Sequence, residues 1–214
     1  MHYTTLGKTG LKVSKLGFGA MRLPMTGPEK SARVHTAEAT RLMRHAFDRG
    51  VNYIDSAVFY CRHDSQRAVG LALQGYRDGI VVSTKNSYKE TNKARWHKNL
   101  HDSLRLMRID HIDLYNIHGI NWQVYQDVVE PAIADWLISA RDKGHIGHIG
   151  MSCHDKPENV IKLIDTGLFE SLTIQYNPLD RQYEAAIAHA ADRNVAVGVM
   201  GPPAGGRGNA SRVF

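Results

Sequence analysis

Short apolar runs alternate with longer amphipathic segments along almost the whole chain. Each run has the length of a buried β-strand, and several runs end in a polar or ionisable side chain. The predicted strands are residues 16–19, 51–55, 80–85, 112–118, 146–152, 172–175 and 195–200.

The segments between these runs repeat apolar residues every three or four positions, which is typical of helices. One helix is predicted from about Thr36 to Gly50, and others over 66–74, 93–107, 123–143, 156–166 and 183–193. We expect Ser65 to cap the second helix and Pro131 to kink or break the longest helix. Ahead of this series, residues 4–14 predict a hairpin, and the Pro-, Gly- and Ser-rich residues up to Arg33 predict a loop.

Strands that alternate with helices indicate a parallel sheet, because right-handed crossovers place each strand beside the last. The predicted fold class is therefore α/β, and seven strands in one series favour a TIM-type (β/α)8 barrel with an N-terminal β-hairpin. A full barrel has eight units and about 250 residues. We therefore expect seven strands to be present, the eighth unit to be missing, and residues 1–214 to form a single incomplete barrel domain. We expect either a truncated or partly ordered product, or an oligomer in which another chain covers the open barrel.

Composition and charge narrow the class of protein. The chain is 43% hydrophobic and 22% charged, as globular domains are. Its formal charge is +6, but the basic residues are scattered and no nucleic-acid partner is expected. No apolar stretch reaches the ~20 residues of a membrane helix, and no secretory signal is evident, so we expect a cytoplasmic protein without membrane contact. Cys61 and Cys153 form no metal-ligand cluster, and His97 and His101 lack the Glu of a zinc-binding helix, so no metal is expected.

Three successive predicted strands end in ionisable side chains, namely Asp55, Lys85 and His118. All strands of a parallel barrel end on one face, so these groups should converge there with Tyr60 from the following loop. Lys85 would pair with Asp55 and favour the phenolate form of Tyr60, which suits a proton donor or acceptor. His118 could hydrogen-bond and orient a carbonyl oxygen. Each residue taken alone could be structural, and their joint placement at consecutive strand ends is what indicates a site.

At these residues the sequence resembles the aldo-keto reductase family. The matching stretches are 52–57 with Tyr60 beyond, 83–85, 113–118, 150–152 and 175–179, in family order along the chain. The resemblance implies a (β/α)8 barrel closed at the bottom by a hairpin. It also implies hydride transfer from NADPH, or less often NADH, to an aldehyde or ketone. Asp55, Tyr60, Lys85 and His118 would then form the catalytic tetrad, with Tyr60 as general acid.

The same resemblance implies a cofactor site. Ser152 and Gln175 would hold the nicotinamide carboxamide. Met200 occupies the place where many members stack an aromatic ring on the nicotinamide, and Cys153 stands where the family often has Asn. The full set of implied cofactor contacts is Gly19, Met21, Asp55, Ser152, Cys153, Gln175, Met200 and Gly201.

Two functions remain open at this point. The first is an NAD(P)H-dependent reductase that acts on a small-molecule carbonyl substrate, and the intact tetrad favours it. The second is a catalytically weak or inactive barrel homologue that binds a nucleotide or a protein partner, and the missing eighth unit favours it. The sequence does not name the carbonyl substrate, because pocket specificity lies largely in variable loops.

Overall fold

A curled parallel sheet of seven strands is the centre of the computed structural model, which describes residues 1–202. The sheet order is β11-β10-β9-β8-β7-β6-β3, so neighbours in the sheet are also successive barrel strands in the chain. The strands are β1 (Tyr3–Thr5), β2 (Lys12–Ser14), β3 (Phe18–Gly19), β4 (Met25–Thr26), β5 (Arg33–Val34), β6 (Tyr53–Asp55), β7 (Val81–Ser87), β8 (Ile112–Ile120), β9 (Ile146–Cys153), β10 (Ser171–Gln175) and β11 (Ala196–Met200).

The sheet confirms the predicted α/β barrel architecture. All seven predicted strands are present and pair in parallel. Within residues 1–202 no eighth strand joins this sheet, and β3 and β11 stand at the two ends of its order. The prediction of a missing last unit also rests on the residues from Pro203 onward. These residues lie outside the described part of the chain.

Helices follow the strands as expected from the alternating pattern. Met43, Leu100 and Leu163 on three of them are fully buried and belong to the same core cluster as Ile54 and Ile149 of the sheet. The helices are α1 (Thr36–Asp48), α2 (Ser65–Leu73), α3 (Lys93–Met107), α4 (Trp122–Val124), α5 (Ala134–Asp142), α6 (Pro157–Asp165) and α7 (Glu184–Asp192).

The region predicted as one long helix, residues 123–143, consists of three successive helical segments. A π-helical stretch, Tyr125–Ile133, separates α4 from α5 and contains Pro131. The Ala134 amide at its end donates to the Val129 carbonyl, five residues back. Proline has no amide hydrogen to donate, and the wider turn absorbs the break that Pro131 was predicted to cause.

Two further sequence predictions are corrected. Ser65 does not cap α2: it is the first residue of that helix, and its hydroxyl donates to the Ala20 carbonyl at 2.8 Å. This bond ties α2 to the segment after β3, a tertiary contact that a local capping pattern does not reveal. The residues up to Arg33 are not all loop, because β4 and β5 form a small antiparallel hairpin there.

The N-terminal hairpin of β1 and β2 lies against the amino ends of the barrel strands. The Lys8 amide donates to the Asn194 carbonyl just before β11 at 2.8 Å, and the Asn52 amide group donates to the Lys12 carbonyl at 2.9 Å. Gly7 permits this approach, because its φ is 51° and a Cβ there would lie 2.5 Å from the Ala196 nitrogen. The hairpin therefore covers one end of the sheet and leaves the carboxyl ends of the strands for the site.

Candidate active site

The sheet order places most of the sequence-predicted site residues at the carboxyl ends of adjacent strands. Gly19 pairs with Asp55 across β3 and β6, and Gln175 pairs with Met200 across β10 and β11. Between them come Lys85 on β7, His118 on β8, and Ser152 with Cys153 on β9. Parallel strands with no reversal of direction produce this alignment, because every strand then ends at the same edge of the sheet.

An ion pair between Lys85 and Asp55 joins β7 to β6 at this edge. The Lys85 side chain is 1% exposed and that of Asp55 is 20% exposed. The Lys85 ammonium also donates to the Ser56 carbonyl at 3.0 Å, and Asp55 Oδ1 accepts from the Ser83 hydroxyl at 2.9 Å. A buried ammonium is costly unless it is paired and hydrogen-bonded, and these contacts meet that requirement.

Tyr60 lies over this ion pair. The Lys85 ammonium is 4.8 Å from the centroid of the Tyr60 ring. The Tyr60 amide donates to the Ala57 carbonyl at 3.2 Å, so a tight turn after β6 brings the phenol back toward the strand end.

An unusual backbone conformation follows Tyr60. Cys61, Arg62 and His63 have φ values of 50°, 56° and 68°, a left-handed conformation that costs non-glycine residues about 1–2 kcal/mol each. Buried Asp64 anchors the far side of this turn by accepting from the Val34 amide at 2.9 Å and pairing with Arg67. The turn thus holds Tyr60 between β6 and α2 at a cost that the surrounding contacts offset.

His118 approaches Tyr60 from the next strand but one. Their ring centroids are 5.6 Å apart and the rings are nearly perpendicular, at 86°. Burial, with a smaller contribution from the Lys85 charge, lowers the pKa of His118 to about 4. The imidazole is therefore neutral at pH 7. Phe59, which is 49% exposed, lies 6.5 Å from the His118 ring and presents an apolar surface beside it.

A polar network behind Asp55 was missed by sequence reasoning. The Asn116 amide nitrogen, on β8, donates to the Ser83 hydroxyl at 3.0 Å and to the Thr84 carbonyl at 3.2 Å. The side chains of Ser83 and Asn116 are fully buried. Each lies two residues before a predicted tetrad member, Lys85 or His118, on the same face of its strand. That spacing is the signal in the sequence from which they could have been found.

The residues implied for the cofactor form a second group along β9, β10 and β11. Ser152 Oγ accepts from the Gly119 amide at 2.9 Å, and the Gln175 amide nitrogen lies 3.5 Å from Asp180 Oδ2. Met200 is half-buried. Cys153 is fully buried, and burial raises the pKa of its thiol to about 11, which keeps it protonated and suits a packing residue.

The remaining implied contacts lie at the two ends of the sheet. Gly19 and Met21 are exposed beside β6, and the Met21 carbonyl accepts from the Cys61 thiol at 3.3 Å. Gly201 follows β11 with a φ of 69°. Trp122, the first residue of α4, stacks on Tyr125 with the two ring planes 14° apart.

Two clefts adjoin the β10 end of the site. One, of about 270 Å³, is lined by residues that include His154, Asp155, Gln175 and Tyr183. The other, of about 370 Å³, is lined in part by Tyr176, Pro178, Arg181 and Val199. Both lie beside the residues implied for the cofactor rather than beside Asp55 and Lys85.

Residues 1–202 show neither a metal-binding cluster nor a membrane-spanning helix. No group of three or more His, Cys, Asp or Glu side chains among them is arranged to hold a metal ion. No helix in that range has the length and apolar character needed to cross a bilayer.

Comparison with known proteins matches this architecture. The family model described as the aldo/keto reductase family matches residues 15–211. The chain is 27% identical over 216 residues to the uncharacterized oxidoreductase YqkF of Bacillus subtilis (strain 168), covering 96% of this chain and 66% of that protein.

Solved structures agree in fold. The holo form of aldo-keto reductase AKR11C1 from Bacillus halodurans has a TM-score of 0.80 and 29% identity, with 96% of this chain and 68% of that chain covered. An aldo/keto reductase from Klebsiella pneumoniae in complex with NADP and acetate has a TM-score of 0.81 at 22% identity, with 96% and 69% covered. The second likeness is one of fold alone.

A parallel barrel sheet with ionisable groups gathered at its strand ends defines the class of barrel proteins that place their active sites on that face. Because the family model matches most of its length, the chain belongs to the aldo/keto reductase family. It spans 66% of the length of YqkF, so a part of that relative has no counterpart in these residues.

Proposed function

We propose that the chain carries the catalytic centre of an NAD(P)H-dependent oxidoreductase that reduces the carbonyl group of a small-molecule aldehyde or ketone. The observation that carries this proposal is the buried Lys85 ammonium, paired with Asp55 and 4.8 Å from the centre of the Tyr60 ring. His118 beside Tyr60 completes the group. Membership of the family supports the same assignment.

Tyr60 is the proposed general acid. Its hydroxyl donates a proton to the carbonyl oxygen as negative charge develops there, which leaves a phenolate. The Lys85 ammonium stabilises that phenolate, and the interaction is strong because the ammonium is shielded from water. Asp55 and the Ser56 carbonyl hold the ammonium in place.

His118 is the proposed orienting group for the carbonyl oxygen. Because its pKa is lowered to about 4, the ring is neutral near pH 7 and presents one N–H donor. A neutral donor aimed at the oxygen stabilises the charge that develops on it, and Tyr60 remains the group that transfers the proton.

A nicotinamide cofactor, NADPH or less often NADH, supplies the hydride when it is bound. The residues present fit such a group. Ser152 accepts from the Gly119 amide, so its hydroxyl proton is directed to another acceptor, as the carboxamide oxygen would be. The Gln175 amide can make the matching contact. A Cβ at Gly19 would meet nothing within 4 Å, so the backbone there is open to a ligand.

Replacing Tyr60 by Phe tests the proposal. Loss of a general acid lowers kcat by roughly 10² to 10⁴, so we expect NADPH oxidation in the presence of a panel of aldehydes and ketones to fall by that factor. Tyr76→Phe is the matched control, because the Tyr76 hydroxyl bonds Asp48 on the helical surface. Turnover retained by Tyr60→Phe would refute the assignment.

Fluorescence titration with NADPH separates the reductase from the alternative function. We expect wild type and Tyr60→Phe to bind NADPH equally, because the residues implied for the cofactor are unchanged. Saturable binding by wild type with no turnover on any carbonyl compound would favour the inactive nucleotide-binding homologue.

A further inference from the structure

A chain of hydrogen bonds inside the barrel runs from Asn116 on β8 through Ser83 on β7 to Asp55 on β6. The Asn116 amide nitrogen lies 3.0 Å from Ser83 Oγ, and Ser83 Oγ lies 2.9 Å from Asp55 Oδ1. Asn116 and Ser83 are fully buried. The chain therefore links three adjacent strands at the level of the ion pair.

The direction of this chain is fixed by its two ends. The Asn116 amide nitrogen faces two acceptors, Ser83 Oγ and the Thr84 carbonyl oxygen, and a backbone carbonyl can only accept. That end of the amide is therefore the NH₂ group. Since Ser83 Oγ accepts from Asn116, its own hydrogen is free to point to Asp55, and an ionised carboxylate accepts it.

The two oxygens of Asp55 consequently have different partners. Oδ1 is held by the Ser83 hydroxyl, and Oδ2 faces the Lys85 ammonium. A carboxylate held at one oxygen cannot rotate without breaking that bond, so the position of the second oxygen is set.

We propose that Asn116 is a positioning residue for the Asp55–Lys85 pair and acts on it through Ser83. The proposal rests on the function proposed above, since it is the catalytic role of Lys85 that makes the position of the pair matter. Among residues 1–202, the Asn116 side chain makes no hydrogen bond to Lys85 or to Tyr60. Its effect on the pair therefore passes through the Ser83 hydroxyl.

The two ends of the Asn116 amide have different surroundings. Its NH₂ group donates to Ser83 and to the Thr84 carbonyl, whereas its Oδ1 atom is buried with no hydrogen-bond partner in the described part of the chain. The contacts of this side chain are therefore directed to the Ser83 side. A Cβ on residue 150 would lie 2.3 Å from Asn116 Oδ1. Glycine at position 150 therefore leaves the space that the Asn116 amide occupies.

The experiment compares Asn116→Leu with wild type, using Asn99→Leu as a matched control. Asn99 is half-buried on α3 and its amide bonds Asn86 rather than the chain to Asp55. In Asn116→Leu the Ser83 hydroxyl is no longer oriented, so the Asp55–Lys85 pair loses its fixed position. We expect kcat to fall about tenfold at an unchanged KM for the carbonyl substrate, with the Kd for NADPH within about threefold of wild type. Asn99→Leu should leave all three values unchanged.

A second measurement does not depend on turnover. Urea unfolding midpoints are measured for Asn116→Leu, Asp55→Asn and the double variant. If Asn116 acts on Asp55 through Ser83, the two midpoint shifts are not additive; if Asn116 only fills space, they add.

The outcomes separate the two proposals. An unchanged kcat in Asn116→Leu, or additive midpoint shifts in the unfolding experiment, would overturn the positioning role while leaving the function proposed for Tyr60 intact. No turnover by wild type would count against the proposed function, and the unfolding cycle would still decide whether Asn116 is coupled to the pair.

Discussion

Removing either partner of the Asp55–Lys85 pair should destabilise the chain more than removing both. In wild type the Lys85 side chain is 1% exposed, and Asp55→Leu would leave its ammonium with the Ser56 carbonyl as hydrogen-bond acceptor among residues 1–202. Breaking a buried pair from one side costs about 3–5 kcal/mol, and the low exposure of Lys85 places this variant in that range. Lys85→Met should cost less, about 2–3 kcal/mol, because Asp55 is 20% exposed and retains Ser83.

The double variant, Asp55→Leu with Lys85→Met, leaves no uncompensated charge. Replacing a buried ion pair by apolar residues of similar size is often close to neutral. We therefore expect the double variant to lie within about 2 kcal/mol of wild type and the coupling between the two sites to exceed about 2 kcal/mol. Urea unfolding at pH 7, followed by tryptophan fluorescence and extrapolated linearly, measures each free energy.

The exposed pair between Lys98 and Asp102 on α3 supplies a matched control. Its side chains are 71% and 33% exposed, so the corresponding Met and Leu replacements should show coupling of about 0.5 kcal/mol or less. Coupling at Asp55 and Lys85 no larger than this would refute the argument that burial makes their pairing obligatory. That result would also remove the physical basis for holding an ammonium near Tyr60.

Two further predictions concern stability. Because the pKa of folded His118 is lowered to about 4, the unfolded chain binds more protons between pH 6.5 and 4, so stability should fall as pH falls through that window. His118→Gln should remove about 1–2 kcal/mol of this acid-induced loss of stability, a value reduced because the ring is partly exposed. An unfolding free energy that depends on pH in the same way in this variant and in wild type would contradict the prediction. Arg62→Gly should stabilise by about 1 kcal/mol, because glycine adopts its φ of 56° without strain. The same replacement at exposed Arg49, where φ is −87°, should destabilise the chain. A higher thermal unfolding midpoint for Arg49→Gly than for Arg62→Gly would contradict the strain argument.

Much of the fold was predictable because its signals are local. The third helix was predicted over 93–107 and is found as Lys93–Met107, where the Asn92 side chain accepts from the Arg95 amide at the cap. The strand ends were predicted to within about two residues: β6 ends at Asp55 as predicted, whereas β7 and β8 continue past Lys85 and His118 to Ser87 and Ile120. Asp55, Lys85 and His118 were found as the polar residues that end the predicted runs, and parallel pairing brought them to one edge.

What the sequence left undetermined depends on contacts between distant segments. Ser83 and Asn116 meet only because the register of β7 against β8 pairs Ser83 with Leu114 and Lys85 with Asn116. That register places Ser83 and Asn116 diagonally across the two strands, within reach of a hydrogen bond. The left-handed turn at Cys61–His63 could not be foreseen, since none of its residues is glycine or asparagine. Ser65 resembles a cap in sequence, and only the fold shows that its hydroxyl reaches Ala20.

The sheet order has a consequence for how the site is made as the chain emerges during synthesis. Each barrel strand pairs with the one before it, so each pairing needs only chain that has already been synthesised. Asp55, Lys85 and His118 come from β6, β7 and β8, and the residues implied for the cofactor come mainly from later strands. The groups that would perform the chemistry can therefore be assembled before those that would hold the nicotinamide have left the ribosome.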